Sequence, residues 1–185
     1  MIKISSGNLK GTKLLVPEGQ LVRPSSSRTR SAVFNTLQHR FDLNDFLIWD
    51  AYAGSGSLGL EAFSRGARPV VFTENNHSNF KILIKNLEKC ALSQKCAHRM
   101  SAQQWLDSSI EPVKIMAFLD PPYQSDELSR IIPKLALSNI ILNGSLVIAE
   151  TDSKIMLNWP SQFEMFLSRK YGRTRIEIAE KLEMA

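Results

Sequence analysis

The sequence predicts an α/β fold: a mostly parallel sheet with helices on both faces. Three observations carry that expectation. From residue 46 to residue 149, short apolar runs alternate with segments of helical periodicity. A glycine-rich turn, Gly54-Ser55-Gly56-Ser57-Leu58-Gly59, joins the first of these runs to a helix. The rigid turn Asp120-Pro121-Pro122-Tyr123 follows the fourth run directly. Ligands of parallel sheets gather at the carboxyl ends of the strands, where both turns fall.

The elements follow in order. Residues 2–5 and 12–16 are short β-like runs around Gly7-Asn8-Leu9-Lys10-Gly11, read as a small hairpin. Residues 17–24 form a polar connection. Ser25, Ser26 or Ser27 is then expected to cap a helix whose Val33, Phe34, Leu37 and Phe41 share one face. Phe46-Leu47-Ile48-Trp49 is the first strand of the sheet and 69–74 the second. Phe80, Ile84, Leu87 and Ala91 mark a helix over about 78–91. A strand near 96–99, a short helix from Ala102 to Leu106 and the strand Ile115–Leu119 come next. The helix from Ser125 or Asp126 contains Pro133, which predicts a kink or an early stop. Leu146-Val147-Ile148-Ala149 is a fifth strand. The runs 163–170 and 173–180, around Tyr171-Gly172, read as a closing antiparallel hairpin.

Composition narrows the class. At 185 residues, with 43% hydrophobic and 22% charged residues, the chain reads as one globular domain. No signal-peptide pattern or membrane-length apolar run occurs, so the expectation is a cytoplasmic protein without a membrane partner. Cys90 and Cys96 fit no zinc spacing with His77 or His98, so no metal is expected. Residues 1–40 carry a net +6 against −1 for the rest. Such an end suits a polyanion, most simply nucleic acid.

The turns carry the chemistry. Gly54, Gly56 and Gly59 have G-x-G-x-x-G spacing, which lets a ligand approach the backbone and permits positive φ. The following helix start offers free N–H groups to a polar or anionic ligand. Glu74, 20 residues past Gly54 at the end of the next strand, can accept hydrogen bonds from both hydroxyls of a ribose. Together they suggest a nucleoside-bearing cofactor. In the second turn the prolines remove two backbone donors. Asp120 and the Pro121 carbonyl are left as acceptors beside the flat ring of Tyr123. Acceptors next to a stacking ring suit a planar base bearing an NH₂ group.

Asp50-x-x-x-Gly54-x-Gly56 with Asp120-Pro121-Pro122-Tyr123 resembles the S-adenosylmethionine-dependent amino-methyltransferases. More narrowly, the chain resembles the RsmD family of bacterial 16S rRNA (guanine-N2)-methyltransferases. The resemblance runs through Gly7–Leu14, Leu21–Pro24, Arg28–Arg30, Phe34–Leu37, Asp50–Ala67 and the Tyr171-Gly172 region. It implies a Rossmann-like class I methyltransferase with a mostly parallel seven-stranded sheet and an antiparallel last strand. Residues 1–24 would be a basic β extension and 25–185 the catalytic core of a single domain. It places Asp50, Ala53, Gly54, Ser55, Gly56 and Gly59 on the cofactor, with Glu74 and Asn75 at the ribose. Ser101 and Ala102 fall near the adenine, where the family usually has Asp or Asn before the alanine. Asp120, Pro121, Pro122 and Tyr123 would form the catalytic turn. Lys10, Lys13, Arg23, Arg28 and Arg30 would bind RNA, with Arg28 and Arg30 also able to reach the cofactor carboxylate. The expected substrate is 16S rRNA in the small subunit or an assembly intermediate, met by a monomer.

Three rivals remain. A DNA adenine-N6 or cytosine-N4 amino-methyltransferase shares both turns, but normally carries a sequence-reading domain for which this length leaves no room. An NAD-dependent dehydrogenase leaves the Asp-Pro-Pro-Tyr turn without a role. An RNA-binding module without activity accounts for neither turn.

Overall fold

A computed structural model of the chain describes residues 2–17, 24–108, 111–122 and 126–183, with residues 24–26 described in backbone only. A small antiparallel pair, β1 (Ile2–Lys3) and β2 (Lys13–Leu14), opens the chain. Helix α1 (Pro24–Arg40) leads into β3 (Leu47–Asp50), α2 (Ser57–Ser64), β4 (Val70–Thr73), α3 (His77–Lys89) and β5 (Ala97–His98). Then come α4 (Ala102–Leu106), β6 (Ile115–Leu119), α5 (Glu127–Leu137), β7 (Leu146–Asp152), β8 (Phe163–Tyr171) and β9 (Thr174–Lys181). The seven-stranded sheet has the order β5-β4-β3-β6-β7-β9-β8. Neighbours from β5 to β7 are parallel, and β9 is antiparallel to both β7 and β8. The chain winds outward from β3 through β4 to β5, then returns to start β6 on the other side of β3. That reversal opens a crevice at the carboxyl ends of β3 and β6.

Alternation along the strands fills two cores. Ile48, Met116, Phe118, Ile148 and Ile178 meet Phe34, Leu37, Leu60, Leu83 and Leu87 of α1, α2 and α3. Trp49, Ile115, Ala117, Val147 and Ala179 meet Trp105, Ile131 and Leu135 of α4 and α5. β6 is buried along its whole length, as a central parallel strand should be. Among the described residues no helix is long and apolar enough to cross a membrane.

The differences from expectation have physical reasons. α1 starts at Pro24, ahead of the three serines, where proline's fixed φ and missing N–H cost nothing; the Ser25 and Ser26 side chains, expected as possible caps, lie outside the described residues. β7 runs past Ala149 to Asp152, because β9 pairs with it through Asp152↔Thr174 and carries its polar end. α5 continues through Pro133 to Leu137 rather than stopping. Pro133 and Ser129, whose carbonyl loses its helical partner, are both exposed, while Ile131, Ile132 and Leu135 are buried and hold the helix down. The Lys181 ammonium donates to the carbonyls of Leu135, Ser138 and Ile141 and so caps that helix from a strand.

The N-terminal extension is docked on the core. Glu61, fully buried, accepts from Ser5 N–H (2.8 Å), Ser5 Oγ (2.6 Å), Arg65 Nε (2.9 Å) and Arg30 Nε (3.2 Å). Burial would raise this carboxyl, but the bonds from Ser5 and Arg65 and the charge of Arg30 outweigh it and hold it below the usual range. At Gly7, φ is +79° and a Cβ would stand 1.8 Å from the Ser64 carbonyl oxygen, so only glycine fits. Asn86, buried on α3, accepts from Leu15 N–H (2.8 Å) and donates to the carbonyls of Leu15 (2.9 Å) and Ser55 (2.8 Å). One amide thus ties the extension to the glycine turn.

Candidate active site

The glycine turn is shaped by backbone demands. Gly54 and Gly56 have φ of +53° and +78°, the left-handed region that favours glycine. A Cβ on Gly54 would meet nothing nearer than the Tyr52 carbonyl oxygen at 4.0 Å, so the space over this residue is open. Gly56 instead caps α2, and a Cβ there would press on Leu83 Cδ1 at 2.6 Å. Gly59 lies inside α2, where a Cβ would stand 2.3 Å from Phe72 Cε1. The missing Cβ lets the helix and strand pack closely there. The turn is pinned by Ala53 N–H to Thr73 O (3.0 Å) and Gly56 N–H to Ala53 O (2.6 Å). The Thr73 hydroxyl donates to Ala51 O and accepts from the Trp49 indole.

Two acids flank the turn. Asp50 is 2% exposed and accepts from Gly59 N–H at 2.9 Å. Burial pushes its carboxyl up to about 7, the amides of Gly59 and Leu58 oppose the rise, and the charge of Glu74 adds to it. Glu74 is also buried; its two oxygens accept from Gly54 N–H (2.8 Å) and Asn76 N–H (2.7 Å). Each carboxylate oxygen has a second lone pair, so the geometry fits an acid that also accepts from a diol. Asn75 is exposed beside it, while Asn76 caps α3. Ser101 caps α4, its hydroxyl accepting from Gln104 N–H at 3.2 Å, and Ala102 is buried behind it.

Asp120 follows β6, next to the β3 end that carries the glycine turn. Asp120 is exposed, Pro121 buried and Pro122 exposed. Tyr123 lies outside the described residues. Tyr52 donates to Glu127 at 3.1 Å, linking the glycine turn to the helix after the Asp-Pro-Pro turn. Its phenol is raised by burial and by the Glu127 carboxylate. A cleft of about 510 Å³, counting its open mouth, lies between α1, α2 and the ends of β6 and β7. Thr29, Ser57, Leu58, Asp120 and Glu150 line it.

The basic residues separate. Lys10, Lys13 and Arg28 are exposed. Arg23 lies outside the described residues. Arg30 is 4% exposed, and its guanidinium donates to Glu61 and to the Lys3 carbonyl. A group so placed anchors the extension and also lines the cleft with Asp120 and Glu150. Sequence reasoning also missed Thr73, Asn86 and Glu150. Asn86 had a signal, a polar residue between Leu83 and Leu87 on an apolar face; Thr73 and Glu150 had none beyond their place at strand ends.

A parallel sheet reversing at β3 and β6, a glycine turn with an acid after the next strand and an Asp-Pro-Pro turn across the crevice define a Rossmann-like S-adenosylmethionine-dependent methyltransferase. The comparisons with known proteins agree. The family described as conserved hypothetical protein 95 matches residues 2–180. Ribosomal RNA small subunit methyltransferase D of Haemophilus influenzae is 30% identical over 174 residues, covering 92% of this chain and 89% of its own. The Escherichia coli K12 protein of the same name is 32% identical over 151 residues, 82% of this chain and 75% of its own. The solved structure of the Escherichia coli protein yhhF, named for methyltransferase activity, superposes with a TM-score of 0.84 at 27% identity, covering 99% of both chains. The chain belongs to this family, the RsmD methyltransferases.

Proposed function

We propose that this protein transfers a methyl group from S-adenosylmethionine to the exocyclic N2 amine of a guanine in 16S rRNA. Its substrate is the small ribosomal subunit or an assembly intermediate, and it acts as a cytoplasmic monomer, one methyltransferase domain with residues 1–24 as an arm. The observation that carries this reading is the placement of the two turns on adjacent strands, β3 and β6, at one crevice. The match of nearly the whole chain to small-subunit rRNA methyltransferases favours it over a DNA amino-methyltransferase.

The cofactor supplies a methyl group made electrophilic by its sulfonium. The chain's own residues bind and aim. Gly54 gives the cofactor room, Glu74 accepts from the ribose hydroxyls, and Asp50 lies toward the methionine end. Guanine N2 is a weak nucleophile because its lone pair is delocalised into the ring. Asp120 and the Pro121 carbonyl accept from its hydrogens, favour pyramidal nitrogen and point the lone pair at the methyl group. Tyr123 stacks on the base, which must be unpaired or flipped to enter. Exposed Lys10, Lys13 and Arg28 hold phosphates.

The test is to incubate the protein and radiolabelled S-adenosylmethionine with small-subunit particles from a strain lacking this gene, then map the label. One N2-methylguanine in 16S rRNA is expected. Label on an adenine or cytosine, or on DNA alone, overturns the reading. Asp120→Ala, which removes the side-chain acceptor, should lower turnover at least about a hundredfold, with S-adenosylhomocysteine affinity within a few-fold of wild type.

A further inference from the structure

We propose that Glu150 is the residue that selects guanine, by accepting a hydrogen bond from N1–H while Asp120 holds the N2 amine; the assignment rests on the function proposed above. β6 and β7 are parallel neighbours, with Leu119 beside Ala149. Asp120, just past the end of β6, therefore comes beside Glu150 of β7, about 4.8 Å away as adjacent strands are. Both line the cleft between α1 and the strand ends. Glu150 also lines a second cleft with Pro121 and Pro122, so it stands in the wall between the Asp-Pro-Pro turn and the cavity. It is half-buried, and the Thr174 hydroxyl on β9 lies 3.5 Å from its Oε1.

The two carboxylates present acceptors side by side. The bases that carry an exocyclic amine differ at the ring nitrogen next to it. In guanine that nitrogen is N1–H, a donor. In adenine it is N1, and in cytosine N3, each a bare acceptor. Guanine thus offers donors to both carboxylates. Adenine or cytosine would set a lone pair against Glu150, leaving a desolvated carboxylate facing a like dipole. Such an arrangement rejects the wrong base by repulsion as well as by a missing bond.

The test uses 2-aminopurine, which keeps the 2-amine of guanine but has a bare acceptor at N1. Small-subunit particles are reconstituted with guanine or 2-aminopurine at the mapped target, and kcat/KM is measured on each for wild type and Glu150→Gln. Wild type should prefer guanine by at least about a hundredfold, since a site built for a donor rejects an analogue without it. Glu150→Gln, whose amide can donate to N1, should reduce that preference at least tenfold while keeping S-adenosylhomocysteine affinity. The ratio of ratios cancels any difference in intrinsic amine reactivity. An unchanged preference in a variant that still binds S-adenosylhomocysteine overturns the role of Glu150 and leaves the guanine reading standing. Should that variant fail to fold, Glu150→Asp, which draws the carboxylate back by one methylene, is measured in the same way: a reduced preference supports the role of Glu150 and an unchanged one overturns it. A wild-type enzyme that methylates adenine or cytosine instead overturns both.

Discussion

Asp50 makes the sharpest demand on solution behaviour. Its carboxyl is 2% exposed, accepts from Gly59 N–H and is raised to about 7, so near neutral pH about half the molecules hold it uncharged. If it lies at the methionine end, the cationic sulfonium and ammonium of the cofactor favour the ionised form. The ionised fraction is about 0.9 at pH 8 and about 0.1 at pH 6, so the apparent affinity for S-adenosylmethionine should fall about tenfold between them. Calorimetric titration at pH 6, 7 and 8 reads this directly. S-adenosylhomocysteine, lacking the sulfonium, should fall less. Asp50→Asn keeps an acceptor for Gly59 N–H and should bind more weakly at pH 8 with a flatter profile; titration of the ligand itself affects both proteins alike. A variant with the same tenfold fall as wild type would refute the assignment. The shift also carries a sign for stability. The folded value stands above the ordinary 3.8, so the folded protein holds the extra proton between about 4 and about 7. Stability from this group is therefore present below about 4 and lost as pH rises through about 7, by at most about 4 kcal/mol. Asp50→Asn without cofactor should melt higher than wild type at pH 8 and close to it at pH 4.

Glu61→Ala should destabilise the fold by about 3–5 kcal/mol in urea titrations, because it leaves Arg30 and Arg65 without their shared carboxylate. The folded Glu61 carboxyl is lowered, so this contribution is lost as pH falls through its folded value, and the gap to wild type should narrow in acid. Gly59→Ala should cost about 1–3 kcal/mol of stability, since the added methyl meets the fully buried ring of Phe72 at 2.3 Å; an unchanged denaturation midpoint would contradict it. Replacing exposed Lys10 and Lys13 with Glu should leave the melting temperature alone and make the plot of log affinity for the RNA substrate against log salt shallower, by about one unit of slope for each phosphate no longer neutralised.

The sheet was legible because its strands are buried on both faces and read as continuous apolar runs, β6 most plainly. The glycine turn was legible because three backbone requirements fall at fixed spacing, that of Gly59 being close packing against Phe72. Polar contacts between distant segments were not legible. Arg30 reads as one more basic residue until α2 brings Glu61 beside it. Glu150 reads as the polar end of a strand until parallel pairing sets it next to Asp120. Local periodicity fixes which face a residue occupies; which distant side chain it meets there depends on strand order, and short-range pattern does not encode that.

The docking of the arm has a consequence for synthesis of the chain. Residues 2–15 are made first, yet their partners come late: Glu61 lies 56 residues beyond Ser5, and Asn86 lies 71 beyond Leu15. Two-residue strands do not hold by themselves. At ribosomal speed the arm waits on the order of ten seconds for α3. The first-made part of the chain thus waits for partners made after it. A nascent chain ending before residue 86 should show its arm open to protease, and the finished chain should show it closed.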